Sequence, residues 1–505
     1  MPNYLTPGVY IEEMSSGSKP ISGAGTSTAA FVGIAEKGVI GRAVLITNWS
    51  QYVKEFGGFL ADYYLAYAVY GFFAEGGTTC YVVRTCHYDG TGKKTAIASS
   101  ALIPDKNYTE ATKTYSFRVK ASSEGTWGDK LLILLENATE GTGFQLTVYQ
   151  NTVAEDNKLE NFDQLTMDTV EDTINYSSKL IRIETSWTGG TSSNQAPKLS
   201  APDGIPLTSG NNGLANLAAN DLYGDEAAQT GLHAFDIIDG INIVAIPEVL
   251  DGKDTTYQTI ISQGLMYCKN RKDCFFVADP PKSKAVTDIK TFKNFSSTYG
   301  ALYYPWVYIS DPLNGGQKKL VPPSGVVAGT YAYTDANRGV HKAPAGITDG
   351  YLDSVNGVET VVTKNEQELL NPIGINVIRS FPAGICIWGA RTLSADPEWT
   401  YVNVRRLLIY IEKSLYKGTQ WVVFEPNDPN LWGNVKRNIT AFLTKVWRDG
   451  ALFGSTPEEA FFVKVDAENN PQETRDLGQL IIDVGVAPVK PAEFVIIRIS
   501  QKRAQ

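Results

Sequence analysis

Residues 494–500, FVIIRIS, place the strongest single constraint on what this chain can become. Val495, Ile497 and Ile499 are apolar, and so are Phe494 and Ile496 on the alternate face, so a strand built from them needs cover on both sides. The stretch carries one charge, Arg498, and contains neither Pro nor Gly. Left unpaired, such a segment is an aggregation hazard, so some sheet must receive it.

A chain of 505 residues is long enough for about three domains and a substantial core. Apolar residues make up 43% and charged residues 20%, which excludes disorder as the general state. With 45 basic and 54 acidic side chains the net charge is -9, which argues against nucleic acid as a partner. The five cysteines (Cys80, Cys86, Cys268, Cys274 and Cys386) are sparse and irregular, and they read as buried reduced thiols of a cytoplasmic protein. The first residues, MPNYLTPGVYIEEM, lack a basic stretch followed by an apolar run, and no segment reaches the ~20 apolar residues a membrane helix needs. Assembly in the cytoplasm, with no direct insertion into a membrane, is the expectation.

Along the chain, residues 1–22 read as an extended arm, with a short strand-like piece at Gly8, Val9, Tyr10, Ile11 and Glu12 followed by a Ser/Gly run. TAAFVGIAEKG (28–38) is an apolar strand, NWSQYVKEFGG (48–58) a short helix stopped at Gly57 and Gly58, residues 63–75 a second helix, and 80–84 a strand. Residues 96–204 change to β-rich segments separated by Gly, Asn, Asp and Thr, which predicts an inserted β domain. Strand and helix alternate again at 239–281, then a β and loop stretch rich in Gly and Pro fills 282–365. From 366 onward two strands, two long helices and three further strands are expected, the last at 494–500. The predicted fold is mixed α/β and multidomain: an arm (1–22), an α/β core (23–95 and 205–365), an inserted β-rich domain (96–204), an α/β C-terminal domain (366–490) and a second arm (491–505).

Catalytic chemistry finds little support. His87, His233 and His341 have no helix-spaced metal partners, and no G-x-S-x-G motif is present. The segment DGTGKKT (89–95) has a phosphate-loop flavour, but His87 stands where the first Gly of that motif belongs and Lys94 follows Lys93 in place of a hydroxyl. Asp279 ends an apolar strand, where α/β enzymes often keep reactive groups. An α/β hydrolase or phosphate-handling enzyme using Asp279 or Lys93 is therefore the alternative reading. No catalytic residue, metal or cofactor is assigned.

One surface pattern is sharper. On a helix at 431–448, Trp432, Val435, Ile439, Phe442 and Val446 fall on one side at ~100° per residue. Arg437 and Arg448 then lie within roughly 20° of each other on the opposite side, with Lys445 beside them. A solvated face and a docking face for an acidic partner are both compatible with this stripe.

Several blocks occurring in order, LTPGVYIEE, TAAFVGIAEKG, LAYAVYGFFAEGGTTCYVVR, DGINIVAIPE, NPIGINVIRSFPAGICIWGARTL and EWTYVNVRRLLIYIEKSL, resemble the contractile tail sheath family. That family includes myophage and pyocin sheaths and those of extracellular contractile injection systems. The resemblance implies a structural subunit, not an enzyme, that polymerises helically around an inner tube and contracts to drive it through a target envelope. It implies that Gly8 to Glu12 and Phe494, Val495, Ile496, Ile497, Arg498 and Ile499 are strands donated to the C-terminal domains of neighbouring copies. It places tube docking on the C-terminal domain, hence on Arg437, Lys445 and Arg448. The implied partners are other copies, the inner tube, baseplate and terminal cap proteins, in a phage-tail-like particle or virion.

Overall fold

The computed structural model describes residues 20–187, 191–250, 252–496 and 498. The chain divides into two compact units: a larger one, Ser27–Tyr333 with Pro344–Thr400, and a smaller one, Met1–Thr26 with Thr334–Ala343 and Tyr401–Gln505.

The larger unit is built on an eight-stranded sheet. In chain order its strands are β1 (Ala29–Gly33), β2 (Ala43–Ile46), β3 (Cys80–Arg84), β4 (Ile243–Ala245), β5 (Phe275–Ala278), β6 (Gly300–Tyr304), β7 (Ile375–Phe381) and β8 (Gly384–Ile387). They lie side by side as β8-β7-β6-β5-β4-β1-β3-β2. The six inner strands run parallel, and β2 and β8 are antiparallel edges. Parallel strands are covered on both faces, which is why AAFVG, IVA and FFVA are apolar without alternation and are buried at every position.

The covering helices follow their sequence signals. Helix α1 (Trp49–Phe56) starts where the Asn48 side chain accepts the Gln51 N–H and stops at Gly57, whose φ of 87° suits only a residue without a side chain. Helix α2 (Leu65–Ala74) is apolar almost throughout and largely buried. Helix α3 (Asp254–Arg271) packs beside β5. Helix α4 (Ser324–Arg338) corrects the expectation that 282–365 is only β structure and loop. Its glycines are contact points, not loop signals: a Cβ on Gly325 would lie 2.4 Å from Ala68 Cα, and one on Gly329 would lie 2.6 Å from Phe72 O. The missing side chains let α4 pack against the backbone of α2.

The β-rich stretch forms two four-stranded sheets around a core of its own that includes Phe117, Trp127, Leu146 and Leu207. One sheet contains Ser100–Pro104, Thr114–Ala121, Ile181–Glu184 and Thr191–Ser192; the other contains Leu131–Asn137, Phe144–Gln150, Lys158–Leu165 and Ile205–Pro206.

A C-terminal domain beginning at 366 is not what the coordinates give. β7 pairs with β6 in the large sheet, and the smaller unit resumes at Tyr401 after taking in Thr334–Ala343. It comprises α5 (Val402–Gly418), α6 (Pro429–Arg448) and a two-stranded antiparallel sheet of β9 (Phe461–Lys464) and β10 (Asp483–Val486). Asp428 accepts the Leu431 N–H and Pro429 occupies the first turn, a strong start signal for α6. Leu407, Ile411, Trp432, Val435, Ile439, Phe442, Val446 and Val463 make its core.

Two carboxylates at the carboxyl ends of sheet strands cap helices of the larger unit. Glu248, after β4, accepts N–H bonds from Ile34, Tyr64 and Leu65 at 2.9, 3.1 and 3.1 Å. Asp279, after β5, accepts the Ser324 N–H at 2.8 Å at the start of α4. Burial pushes each carboxyl up to about 7, against hydrogen bonds that lower it. A raised folded-state pKa gives stability that is fully present below the unfolded value and is lost as pH rises through the folded one. The expected result is a Tm that falls between about pH 4 and pH 7 and then levels. Asp279→Asn keeps an acceptor for Ser324 and should reduce that fall; an unchanged pH profile would show that the Asp279 carboxyl does not titrate in this window.

Candidate functional site

The features that set the termini apart gather on the smaller unit. β9 and β10 pair only with each other among the described residues, so each leaves one backbone edge without a strand neighbour. Beyond β10 the chain continues alongside residues 451–453, with Leu452 bridged to Pro488 and the Val489 N–H bonded to Ala451 O at 3.1 Å. It is then tied to α5: Asn403 Nδ2 donates to Val489 O at 3.2 Å, and Tyr401 Oη donates to Glu493 Oε2 at 3.0 Å.

Phe494, Val495 and Ile496 are 72%, 79% and 78% exposed and belong to no strand of their own chain. Arg498 is exposed as well. Of the strand expected at 494–500, the described residues 494–496 and 498 form no strand in the lone subunit, although their composition favours one. Ile497 and Ile499 lie outside the described residues, as do Gly8, Val9, Tyr10, Ile11 and Glu12 of the N-terminal arm.

The N-terminal side is described from Pro20. Ala24 N donates to Ser414 Oγ at 2.9 Å, and Arg406 Nη2 donates to Thr26 O at 2.9 Å. Arg406 also holds Asp335 through two bonds, Nη1 to Oδ1 at 2.9 Å and Nη2 to Oδ2 at 2.6 Å. The two side chains are 4% and 2% exposed. Burial raises the Asp335 carboxyl while the Arg406 guanidinium opposes that rise. The residues that hold 24–26 and 489–493 were not singled out from the sequence; Arg406 and Asp335 are 71 positions apart, so only the three-dimensional fold brings them together.

The helix stripe falls as the periodicity predicts. Trp432, Val435, Ile439, Phe442 and Val446 are buried, and Arg437, Lys445 and Arg448 are exposed on α6. Arg437 Nη2 donates to Asn434 Oδ1 at 2.7 Å, and no carboxylate among the described residues forms an ion pair with any of the three. Asp279 and Lys93 are far from a shared site in role: Asp279 caps α4, and Lys93 lies in an exposed turn closed on Asp89 Oδ1.

Comparison with known proteins bears on this arrangement. Residues 224–393 match the family described as phage tail sheath protein central domain, and residues 394–502 match the phage tail sheath C-terminal domain, together more than half of the chain. The boundary between them falls close to the start of the smaller unit. The tail sheath protein of Vibrio phage KVP40 is 29% identical over 219 residues, 43% of this chain and 31% of that protein. The tail sheath protein of Burkholderia phage BcepMu is 31% identical over 211 residues, 40% of this chain and 42% of that protein. The matched stretch spans less than half the length of either relative. Among solved structures, the helical sheath of the anti-feeding prophage in its contracted state is similar over 99% of this chain and 100% of that one, with a TM-score of 0.61 at 25% identity. The contracted sheath of PVC, an extracellular contractile injection system, covers 99% of both chains with a TM-score of 0.58 at 23% identity, a likeness of fold.

Proposed function

The chain belongs to the phage tail sheath family, whose members are structural, and on that premise we propose how this subunit links, grips and moves. Copies polymerise helically around an inner tube, between a baseplate and a terminal cap, in a particle assembled in a bacterial cytoplasm. Residues 8–12 and 494–499 leave their own subunit and add to the open edges of the β9–β10 sheet in neighbouring copies. Contraction repacks the subunits into a shorter, wider cylinder and drives the tube through a target envelope. The energy resides in subunit contacts, so no nucleotide site is needed.

The observation that carries this reading is the exposure of Phe494, Val495 and Ile496 in a strand-forming segment, on the same unit as a sheet whose two strands have no further strand neighbour among the described residues. Strand addition gives such a segment backbone partners and side-chain cover together. The test is negative-stain electron microscopy of purified full-length protein under polymerising conditions. Striated cylinders are expected, and persistent single subunits at high concentration would count against the reading.

Tube docking is placed on Arg437, Lys445 and Arg448, whose exposed charges suit an acidic cylinder surface. Exposed pairs contribute roughly 0–1 kcal/mol each, so a grip of several can hold and still release. Reversing all three to Glu should lower co-sedimentation of sheath with tube and leave a folded subunit, its Tm slightly lower because Lys445 and Arg448 lie in the last turn of α6. Raised salt should weaken the parent in the same way. Undiminished co-assembly of the triple variant would remove this placement.

A further inference from the structure

Helix α5 carries, at every fourth position, a residue that touches the root of the N-terminal arm. Arg406 holds Thr26 O and Ser414 holds the Ala24 N–H. The Tyr410 ring fills the space that a side chain on residue 23 would need: a Cβ on Gly23 would lie 2.3 Å from Tyr410 Oη. Gly418 leaves room for Ile21, since a Cβ there would come within 2.6 Å of both Ile21 γ carbons. Four residues advance a helix by a little over one turn, so these positions form one slowly winding stripe. Residues 21–26 run along it antiparallel to the helix, and residue 21 reaches its carboxyl end. The other arm is tied at the opposite end, by Asn403 to Val489 and by Tyr401, the residue that precedes α5, to Glu493. At 17 residues, α5 separates the two departure points by about 25 Å.

Resting on the reading of both termini as linking arms, we propose that α5 is the strut that carries load between neighbours. On this proposal Tyr410, Ser414 and Gly418 are positioning residues that keep 21–26 seated in the extended and in the contracted sheath alike. The seat fastens the ISGAG portion that closes the Ser/Gly run. Any movement of the arm relative to its own subunit is then confined to residues N-terminal to Ile21. Three features that sequence position alone does not relate meet here: two small residues at close approaches, a hydroxyl on a backbone N–H, and a buried guanidinium on a carbonyl. Ile21 and Tyr410 also pack against the core of the smaller unit, so the seat is continuous with that core, while the bonds to Ala24 N and Thr26 O fasten backbone that the core does not reach.

The experiment is a lock. A Cβ on Gly418 would lie 3.0 Å from Ile21 Cβ, shorter than the ~3.8 Å of a disulfide, so Ile21→Cys with Gly418→Cys can be bridged once the two backbones part by about 1 Å. Sheath of the double variant is assembled reduced, oxidised in the extended state, then triggered, and its length is measured by electron microscopy. Oxidised and reduced cylinders are expected to shorten equally. If the oxidised cylinders stay long while reduced ones shorten, the segment has to leave α5 and the proposal fails. Independently, Ser414→Ala should cut polymer yield by about tenfold with only a modest drop in subunit Tm, and Ser414→Thr should restore the yield. Normal yield from Ser414→Ala would also overturn the positioning role. Deleting residues 1–19 distinguishes the two levels: normal polymerisation of that truncation removes the linking-arm reading itself, whatever the lock shows.

Discussion

Removing residues 494–505 is expected to leave a subunit that folds and melts as the full chain does but stays monomeric at concentrations where the parent forms cylinders. The described part of this segment faces solvent: Phe494, Val495 and Ile496 are exposed, and the Tyr401 bond to Glu493 is kept by the truncation. On strand addition each of those side chains gains ~1.5–3 kcal/mol of burial, before ordering costs of ~1–2 kcal/mol per residue. Several backbone hydrogen bonds contribute ~1 kcal/mol net each. Losing all of this at every subunit junction of a helical polymer removes association by orders of magnitude. Calorimetry and sedimentation velocity on the two proteins read the two halves of the prediction separately. A drop in Tm would mean that the segment stabilises its own subunit; intact cylinders would mean that it links nothing.

The largest effect on stability is expected at Arg406. Its guanidinium and the Asp335 carboxylate form a two-bond pair with almost no solvent access, and the same guanidinium holds Thr26 O. Such a pair adds little over apolar packing, but removing one member strands the other charge, at a cost of about 3–5 kcal/mol. Arg406→Ala should therefore lower the melting transition of the smaller unit steeply and reduce polymer yield with it. Asp335→Leu combined with Arg406→Met should recover much of the loss, because no buried charge remains. The double variant should still assemble less well than the parent, since Thr26 O has lost its donor. If Arg406→Ala melts like the parent, the pair is not buried in solution as described.

What could be read from the sequence, and what could not, follows one physical division. Local signals held: Asn48 and Gly57 bracket α1, the run at 80–84 is β3, and Asp428-Pro429 opens a helix whose buried face follows the 3.6-residue period. Helix α4 was obscured because Gly325 and Gly329 carry the composition of a loop, whereas their function is close approach to α2, which no local pattern records. The start of the smaller unit was placed too early because β7 and β8 look like any other apolar strands, and only their pairing with β6 assigns them to the large sheet. Thr334–Ala343 joins the smaller unit through tertiary contacts alone. For the site, the periodicity of α6 exposed the basic stripe, and the composition of 494–500 marked a strand without a home. The seat of residues 21–26 on α5 depends on contacts such as Ala24 to Ser414, 390 positions apart, and has no local signature.

Amide hydrogen exchange at residues 494–499, compared between the isolated subunit and the assembled sheath, addresses the account at its centre. In the isolated subunit these amides should exchange at the rate of unstructured chain, and in cylinders they should slow by about a hundredfold or more, as paired strands do. Equal protection in both states would mean that the segment folds within its own copy, and fast exchange in the cylinder would mean that no other copy receives it. Either outcome contradicts a sheath whose subunits complete one another.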